Sequence, residues 1–232
     1  MDSATGLVGA LRERTRVLHH RAERTGVIRA LLRGSASRQA YALLLRNLYP
    51  AYREMERGLE RYWDLPAVRA VARPALYRSR ALIADLERLG GASWRRDLAL
   101  LPAGRRYRDH IKAVAADDGR LLVAHAYVRY FGDLSGGQIL KRLLSRTLGL
   151  GPRELQFYSF PEIGDLDGFK AELGAALDRA AGEIGDPEAT LEQAARSFEL
   201  TIEVSEAVHD VALAGLAVDG VAPASRAPLE AS

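Results

Sequence analysis

His19 stands in a stretch reading LRERTRVLHHRAE, from Leu11 to Glu23, and its neighbours offer it a chemistry that a solitary surface histidine lacks. Arg12, Arg16, His19 and Glu23 follow one another at intervals of four, three and four, which gathers them on one helical face. Glu23, one turn beyond His19, can take a hydrogen bond from one imidazole nitrogen and leave the other nitrogen's lone pair for a metal. Arg12 and Arg16 offer two cations to the carboxylates of an amphipathic ligand. The same spacing also fits a solvated face laced with Arg–Glu pairs, and spacing alone does not choose between them. His20 projects about 100° further round the helix and is expected in solvent.

A second constellation lies in AYVRYFGDLSGGQILK, Ala126 to Lys141. Gly132, Gly136 and Gly137 interrupt an otherwise amphipathic helix, and each costs about 1 kcal/mol relative to alanine, so a reason is expected. Gly132 and Gly136 are one turn apart and can open one face to a ligand that must approach the backbone. The adjacent pair Gly136–Gly137 also permits a kink and close contact with a flat ligand. Close packing of another helix accounts for the same small face. No Walker pattern is present, and the glycines sit within a helix rather than ahead of one. Asp133 lies between these glycines, with Arg129 one turn before it. Such a pair can hold water near a ligand, the arginine keeping the carboxylate ionised and oriented. It also fits an ordinary i,i+4 surface salt bridge, worth about 0.2–0.5 kcal/mol.

Composition narrows the options. The chain has no cysteine, which excludes disulfides, thiolate-bound iron and cysteine nucleophiles, so a metal or haem must rest on His, carboxylate or Tyr. A net charge of +3 over 232 residues, with both signs mixed throughout, gives no concentrated basic face and argues against nucleic acid. No apolar run is long enough for a membrane span or anchor, and the first residues lack the pattern of a secretory signal. A cytoplasmic protein is expected.

The elements that must position these residues read as helices almost everywhere, because apolar residues recur at three and four spacings and β-branched runs are scarce. The pattern predicts a first helix from Leu7 to Arg24 with Gly26 near its end. A second, capped by Ser37, runs to about Trp63 and is stopped by Pro66. A third spans about Ala75–Leu89 and closes on Gly90 and Gly91. Further helices are expected near Arg106–Ala115, over Arg120–Leu148 with an interruption at Gly136–Gly137, and over Leu166–Ala181. A last helix, Pro187–Leu213, is introduced by a capping Asp186. The fold class is therefore all-α, one domain over residues 1–216, followed by a flexible tail over 217–232.

Taken together, these segments resemble the haem oxygenase family. LRERTRVLHHRAE is similar to its proximal helix, and YVRYFGDLSGGQ, Tyr127 to Gln138, to its distal-helix signature. NLYPAYREMER (Asn47–Arg57) and FYSFPEI (Phe157–Ile163) match in order and spacing, so the likeness runs from about Leu11 to Glu206. It implies a multi-helix fold with haem b, both cofactor and substrate, between a proximal and a kinked distal helix. It implies cleavage of haem with O2 and electrons to biliverdin, ferrous iron and carbon monoxide. His19 matches the axial iron ligand and Glu23 its partner. Gly132, Gly136 and Gly137 match the distal wall, and Asp133, Arg129 and Tyr52 the network that organises distal water. Arg12, Arg16, Tyr127 and Lys170 match positions that meet the propionates.

Two departures stand out: Gly174 where animal members carry an arginine one turn after the lysine, and Thr201 where they carry an asparagine. The first weakens propionate anchoring, and the second shortens a polar partner. A haem carrier or sensor on the same fold would keep His19 without turnover, although it has no need of Asp133 and its glycines. A cofactor-free interaction domain would use the arginine faces instead. No dinucleotide fingerprint is present, so electrons are expected from an external ferredoxin- or flavodoxin-like protein and its reductase. Arg95, Arg96, Arg105, Arg106 and Lys112 are candidates for docking that acidic donor, though each singly also fits plain solvated surface.

Overall fold

The computed structural model describes residues 6–219, and every regular element among them is helical. Helix α1 (Leu7–Arg24) has the bounds its pattern predicts and buries Leu7, Leu11 and Thr15, one turn apart. As expected, the helix ends just before Gly26, at an extended Thr25 with φ of −126° and ψ of 157°. Gly26 opens a second short helix, α2 (Gly26–Leu32), in a left-handed conformation with φ of 57°. A Cβ there would stand 2.4 Å from the Ser205 carbonyl carbon, so glycine serves both the turn and the close approach of another helix.

Helix α3 (Arg38–Arg61) begins where Ser37 Oγ accepts the Ala40 N–H, at 3.1 Å. It runs through Pro50, which lacks an N–H and would break an isolated helix at about 3 kcal/mol. Burial of most of its residues, from Ala40 through Leu59, holds it together. Pro66 does not stop α3, which ends earlier. Instead it occupies the first turn of α4 (Pro66–Val71), where no donor is missed. Then follow α5 (Ser79–Gly90), α6 (Trp94–Asp97) and α7 (Pro102–Asp117).

The glycine-containing segment forms two helices, α8 (Leu122–Leu134) and α9 (Gly136–Leu148). They are broken at Ser135, whose φ of −113° and ψ of −84° lie outside the helical region, so the kink precedes the glycine pair rather than falling on it. Helix α10 is Leu166–Arg179. Helix α11 spans Pro187–Asp219 behind an Asp186 carboxylate that accepts the N–H groups of Glu188 (2.9 Å) and Ala189 (3.2 Å). The tail expected from residue 217 thus starts as helix, and residues 220–232 lie outside the described part.

Helices α3, α8 and α11 share one hydrophobic core, with Leu44, Leu45, Ala126, Tyr130, Leu200 and Val204 fully or nearly fully buried. Helix α1 lies along α11, and α10 packs against α1, α4 and α8. Among the described residues no helix is long and apolar enough to cross a membrane.

Candidate active site

With Leu7, Leu11 and Thr15 turned inward, α1 presents its opposite face to solvent. His19 Nδ1 lies 3.7 Å from Glu23 Oε1, and the imidazole and carboxylate side chains are each about half exposed. That distance is an ion-pair contact rather than a hydrogen bond. His20 is not separate from the pair: its Nδ1 lies 3.9 Å from Glu23 Oε2. On its other side the His19 ring meets Phe198 of α11 edge to face, with centroids 5.8 Å apart.

The predicted cations divide. Arg12 faces Tyr127 of α8, and its charge opposes the rise that burial imposes on the phenol's pKa. Arg16 contacts Glu13 at 3.3 Å on its own helix, and Lys170 contacts Asp167 at 3.0 Å on α10. Both are short-range pairs with a highly exposed carboxylate, worth little and readily exchanged for another anion. Helix α10 is fixed to α1 because Asp178 Oδ1 accepts the Val8 N–H at 2.9 Å, which satisfies an otherwise unpaired donor of α1's first turn. Gly174 is buried, and an added Cβ would meet Phe131 and Val8 only at 3.9 Å, an ordinary contact.

Helix α8 carries the other half of the site. Asp133 is only 2 % exposed, and its Oδ2 accepts the Tyr52 hydroxyl hydrogen at 2.7 Å. Arg129 Nε donates to that same hydroxyl at 2.8 Å, while its Nη2 stands 3.6 Å from Asp133 Oδ1. Burial pushes the Asp133 carboxyl up to about 6, although Arg129, Tyr52 and Arg78 all pull it down. Burial also works against the Arg129 charge, but Tyr52 and Asp133 outweigh it and hold its pKa above the ordinary value. Thr201 joins this network: its Oγ1 accepts Arg129 Nη1 at 3.2 Å and donates to the Ser197 carbonyl. The Arg129–Asp133 pair is therefore a buried member of a four-residue network and not a surface salt bridge.

The three glycines differ. A Cβ at Gly132 or Gly136 would meet nothing within 4 Å, and both residues are exposed, so this face of the broken helix borders open space. A Cβ at Gly137 would strike the Tyr158 ring at 2.7 Å. Gly137, expected beside its neighbour on the ligand wall, is instead a packing glycine. The break at Ser135 also strands backbone groups near Asp133, and Gln138 Nε2 bonds the Asp133 and Tyr158 carbonyls at 3.1 and 3.0 Å.

Phe198 and Thr201 lie one turn apart on α11, so this helix touches the His19 ring with one residue and the Asp133 network with the other. Sequence reasoning missed Phe198, since an aromatic on an apolar helix face reads simply as core. A cavity of about 600 Å³ lined by Arg53, Glu56, Arg57, Arg78 and Gln156 among others includes neither His19 nor the exposed glycines. It approaches the site only through Arg78, whose charge acts on Asp133. The half-exposed imidazole of His19 and the open face at Gly132 and Gly136 lie outside that cavity.

Of the five basic residues named for donor docking, Arg106 is held by Glu203 (3.0 Å) and Arg96 by Asp97 (2.8 Å). Arg95 lies over the Trp94 ring, 4.2 Å from its centroid, and Lys112 is exposed.

The family model for heme oxygenase matches residues 5–207 of this chain. The chain is 33% identical over 201 residues to heme oxygenase 1 of Synechocystis, covering 87% of this chain and 84% of that protein. The crystal structure of heme oxygenase-1 from Synechocystis in complex with heme superposes with a TM-score of 0.84 at 31% identity, covering 93% of this chain and 98% of that one. The heme oxygenase of Leptospira interrogans superposes with a TM-score of 0.82 at 34% identity, covering 88% of this chain and 100% of that one.

Proposed function

The chain belongs to the haem oxygenase family, and on that premise we propose that it degrades haem, with His19 as the residue that would hold the iron. It is a haem-degrading oxidoreductase for which haem is both prosthetic group and substrate. Bound haem supplies the iron that activates O2 and the ring that is opened to biliverdin, ferrous iron and carbon monoxide.

This chain's own residues do the rest. Glu23 Oε1, 3.7 Å from His19 Nδ1, needs only a small side-chain rotation to accept the Nδ1 hydrogen, which would leave the Nε2 lone pair for iron. Gly132 and Gly136, bordering open space, would leave room for the macrocycle. Asp133 has one oxygen engaged by Tyr52 and the other beside Arg129 at a distance too long for a hydrogen bond. That second oxygen, without a protein hydrogen bond, would orient a water beside the bound ring, and burial pushes its carboxyl up towards the range in which it can exchange a proton. Arg12, Arg16, Tyr127 and Lys170 would receive the propionates, with Arg12 and Tyr127 already close enough for the charge to act on the phenol. The whole of residues 1–216 serves as one haem oxygenase domain.

Electrons come from an external ferredoxin- or flavodoxin-like protein and its reductase, because no nucleotide fingerprint stands in the sequence. Arg95, Arg105 and Lys112 contact no carboxylate as a salt bridge among the described residues and are the better candidates for its docking. A cytoplasmic setting, where such carriers are kept reduced, belongs to the same proposal.

The observation that carries the reading is the buried Tyr52–Asp133–Arg129 network set beside two glycines that face open space. Hemin, reductant and air, followed by biliverdin absorbance and iron release, test it. Hemin that binds but yields neither product would refute it.

A further inference from the structure

Helix α1 gathers three metal-ligating side chains, and one of them, His20, has no part in the haem reaction. His19, His20 and Glu23 each offer one donor atom, and all three atoms lie within 4.8 Å of one another. Glu23 faces the two imidazoles with separate oxygens, Oε1 at 3.7 Å from His19 Nδ1 and Oε2 at 3.9 Å from His20 Nδ1. Ligand bonds of about 2.0–2.2 Å in tetrahedral array place donors roughly 3.3–3.6 Å apart, so small side-chain rotations close these distances. On a helix rich in arginine, the carboxylate of Glu23 has only these two imidazoles as ion-pair partners among the described residues. All three side chains are at least half exposed, so water completes the coordination without a desolvation penalty.

We propose that the haem-free chain binds one divalent metal ion of the zinc class through His19 Nδ1, His20 Nδ1 and the Glu23 carboxylate, and that this metal excludes haem. Two imidazoles and one carboxylate suit zinc, nickel or copper rather than calcium or magnesium. Exclusion follows from the tautomer. A neutral imidazole has one lone pair and one N–H, so a metal on Nδ1 places the hydrogen on Nε2, the atom that must bind iron. No net proton or electron is exchanged; the hydrogen changes nitrogen. Glu23 then has two alternative duties, accepting the Nδ1 hydrogen in the haem state and ligating the metal in the haem-free state. The competition rests on the assignment of His19 to iron made above.

The test uses the full-length haem-free chain and Zn2+ alone. Calorimetry should find one zinc per chain in the wild type and none in His20→Ala, a residue with no part in haem binding. Hemin titrations followed at the Soret band should then show that zinc at about ten times its own Kd weakens apparent hemin affinity about elevenfold in the wild type and not at all in His20→Ala. Absence of stoichiometric zinc binding, or equal zinc binding in His20→Ala, overturns the metal site. Zinc bound at His20 with unchanged hemin affinity overturns the exclusion. The iron assignment is judged separately in metal-free buffer: if His19→Ala binds hemin like the wild type, that assignment fails and the exclusion falls with it.

Discussion

Helix α1 and helix α8 bring opposite constructions to one site. Helix α1 buries Leu7, Leu11 and Thr15 and leaves His19, Glu23 and Arg16 in solvent, joined by long or exposed pairs. Helix α8 buries ten of its thirteen residues, and Asp133 is held by Tyr52 and bordered by Arg129, itself bonded to Thr201. An axial ligand needs only an accessible lone pair, and the ligand itself supplies the burial when it arrives. A carboxylate that orients water must be fixed beforehand, since reorganisation during reaction would forfeit its electrostatic advantage. Changes on α1 should therefore act on attachment of the iron, and changes on α8 on the course of the reaction, its pH dependence and the stability of the fold.

The largest effect should come from α1. His19→Ala should abolish turnover while circular dichroism and melting stay close to wild type, because the side chain is half exposed. Added imidazole should restore part of the activity. Normal turnover in His19→Ala together with loss in His20→Ala would move the ligand by one residue.

Next comes the α8 counterpart. Asp133→Ala should keep hemin affinity within a few-fold yet lose biliverdin yield by roughly 100-fold or more, in favour of peroxidase-like oxidation of added phenols. Unchanged biliverdin in that variant would reduce the Tyr52–Asp133–Arg129 network to scaffolding.

A subtler division appears between two buried carboxylates, Asp133 and Asp85, each pushed up to about 6 by burial. Asp85 accepts the backbone N–H groups of Gln156 and Phe157 at 2.9 and 2.8 Å, one on each oxygen. Asparagine can satisfy only one of them, so Asp85→Asn should destabilise by about 1–3 kcal/mol at neutral pH. Asp133 meets side chains instead, and asparagine keeps the acceptor for Tyr52 without the buried charge. Its raised carboxyl binds more protons folded than unfolded between about pH 4 and 6, so its contribution to stability is full below that window and lost as pH rises through it. Urea titrations across that range should show a shallower fall in stability with rising pH for Asp133→Asn than for wild type. An equal fall in both would show that Asp133 does not titrate there.

The smallest effect concerns the propionate end. Among the described residues Lys170 pairs only with exposed Asp167, so its loss should remove about 1 kcal/mol of orientational preference or less. Chromatography of the biliverdin isomers should find the α-meso product dominant in wild type, a broader mixture in Lys170→Ala and a narrower one in Gly174→Arg, where the backbone has room for a Cβ. An isomer that is pure in both wild type and Lys170→Ala would free regiochemistry from this anchor.

Local signals made much of this visible in the sequence. Ser37 and Asp186 are side-chain caps, and both helices they were expected to start do start there. The pairing of His19 with Glu23 and of Arg129 with Asp133 follows from helical periodicity alone. What stayed hidden depends on distant partners. Gly26 marks the end of the first helix as its type suggests, but the Ser205 backbone pressed against it gives no local sign, and Pro66 reads as a stop although it opens the next helix. Gly137 was separable in principle, since it lies about 100° round the helix from the Gly132–Gly136 face. Tyr158, the reason for that glycine, is 21 positions away and gives no local sign. Phe198 and Thr201 matter through their neighbours on α1 and α8, which no pattern within α11 declares.

The most direct test of the account is aerobic turnover of hemin by the wild type, His19→Ala and Asp133→Ala side by side, with biliverdin and released iron measured together. The wild type should give both products. His19→Ala should give neither until imidazole is added, and Asp133→Ala should bind hemin without biliverdin whether or not imidazole is present. Biliverdin formed at the wild-type rate by either variant, or none formed by the wild type, would contradict it.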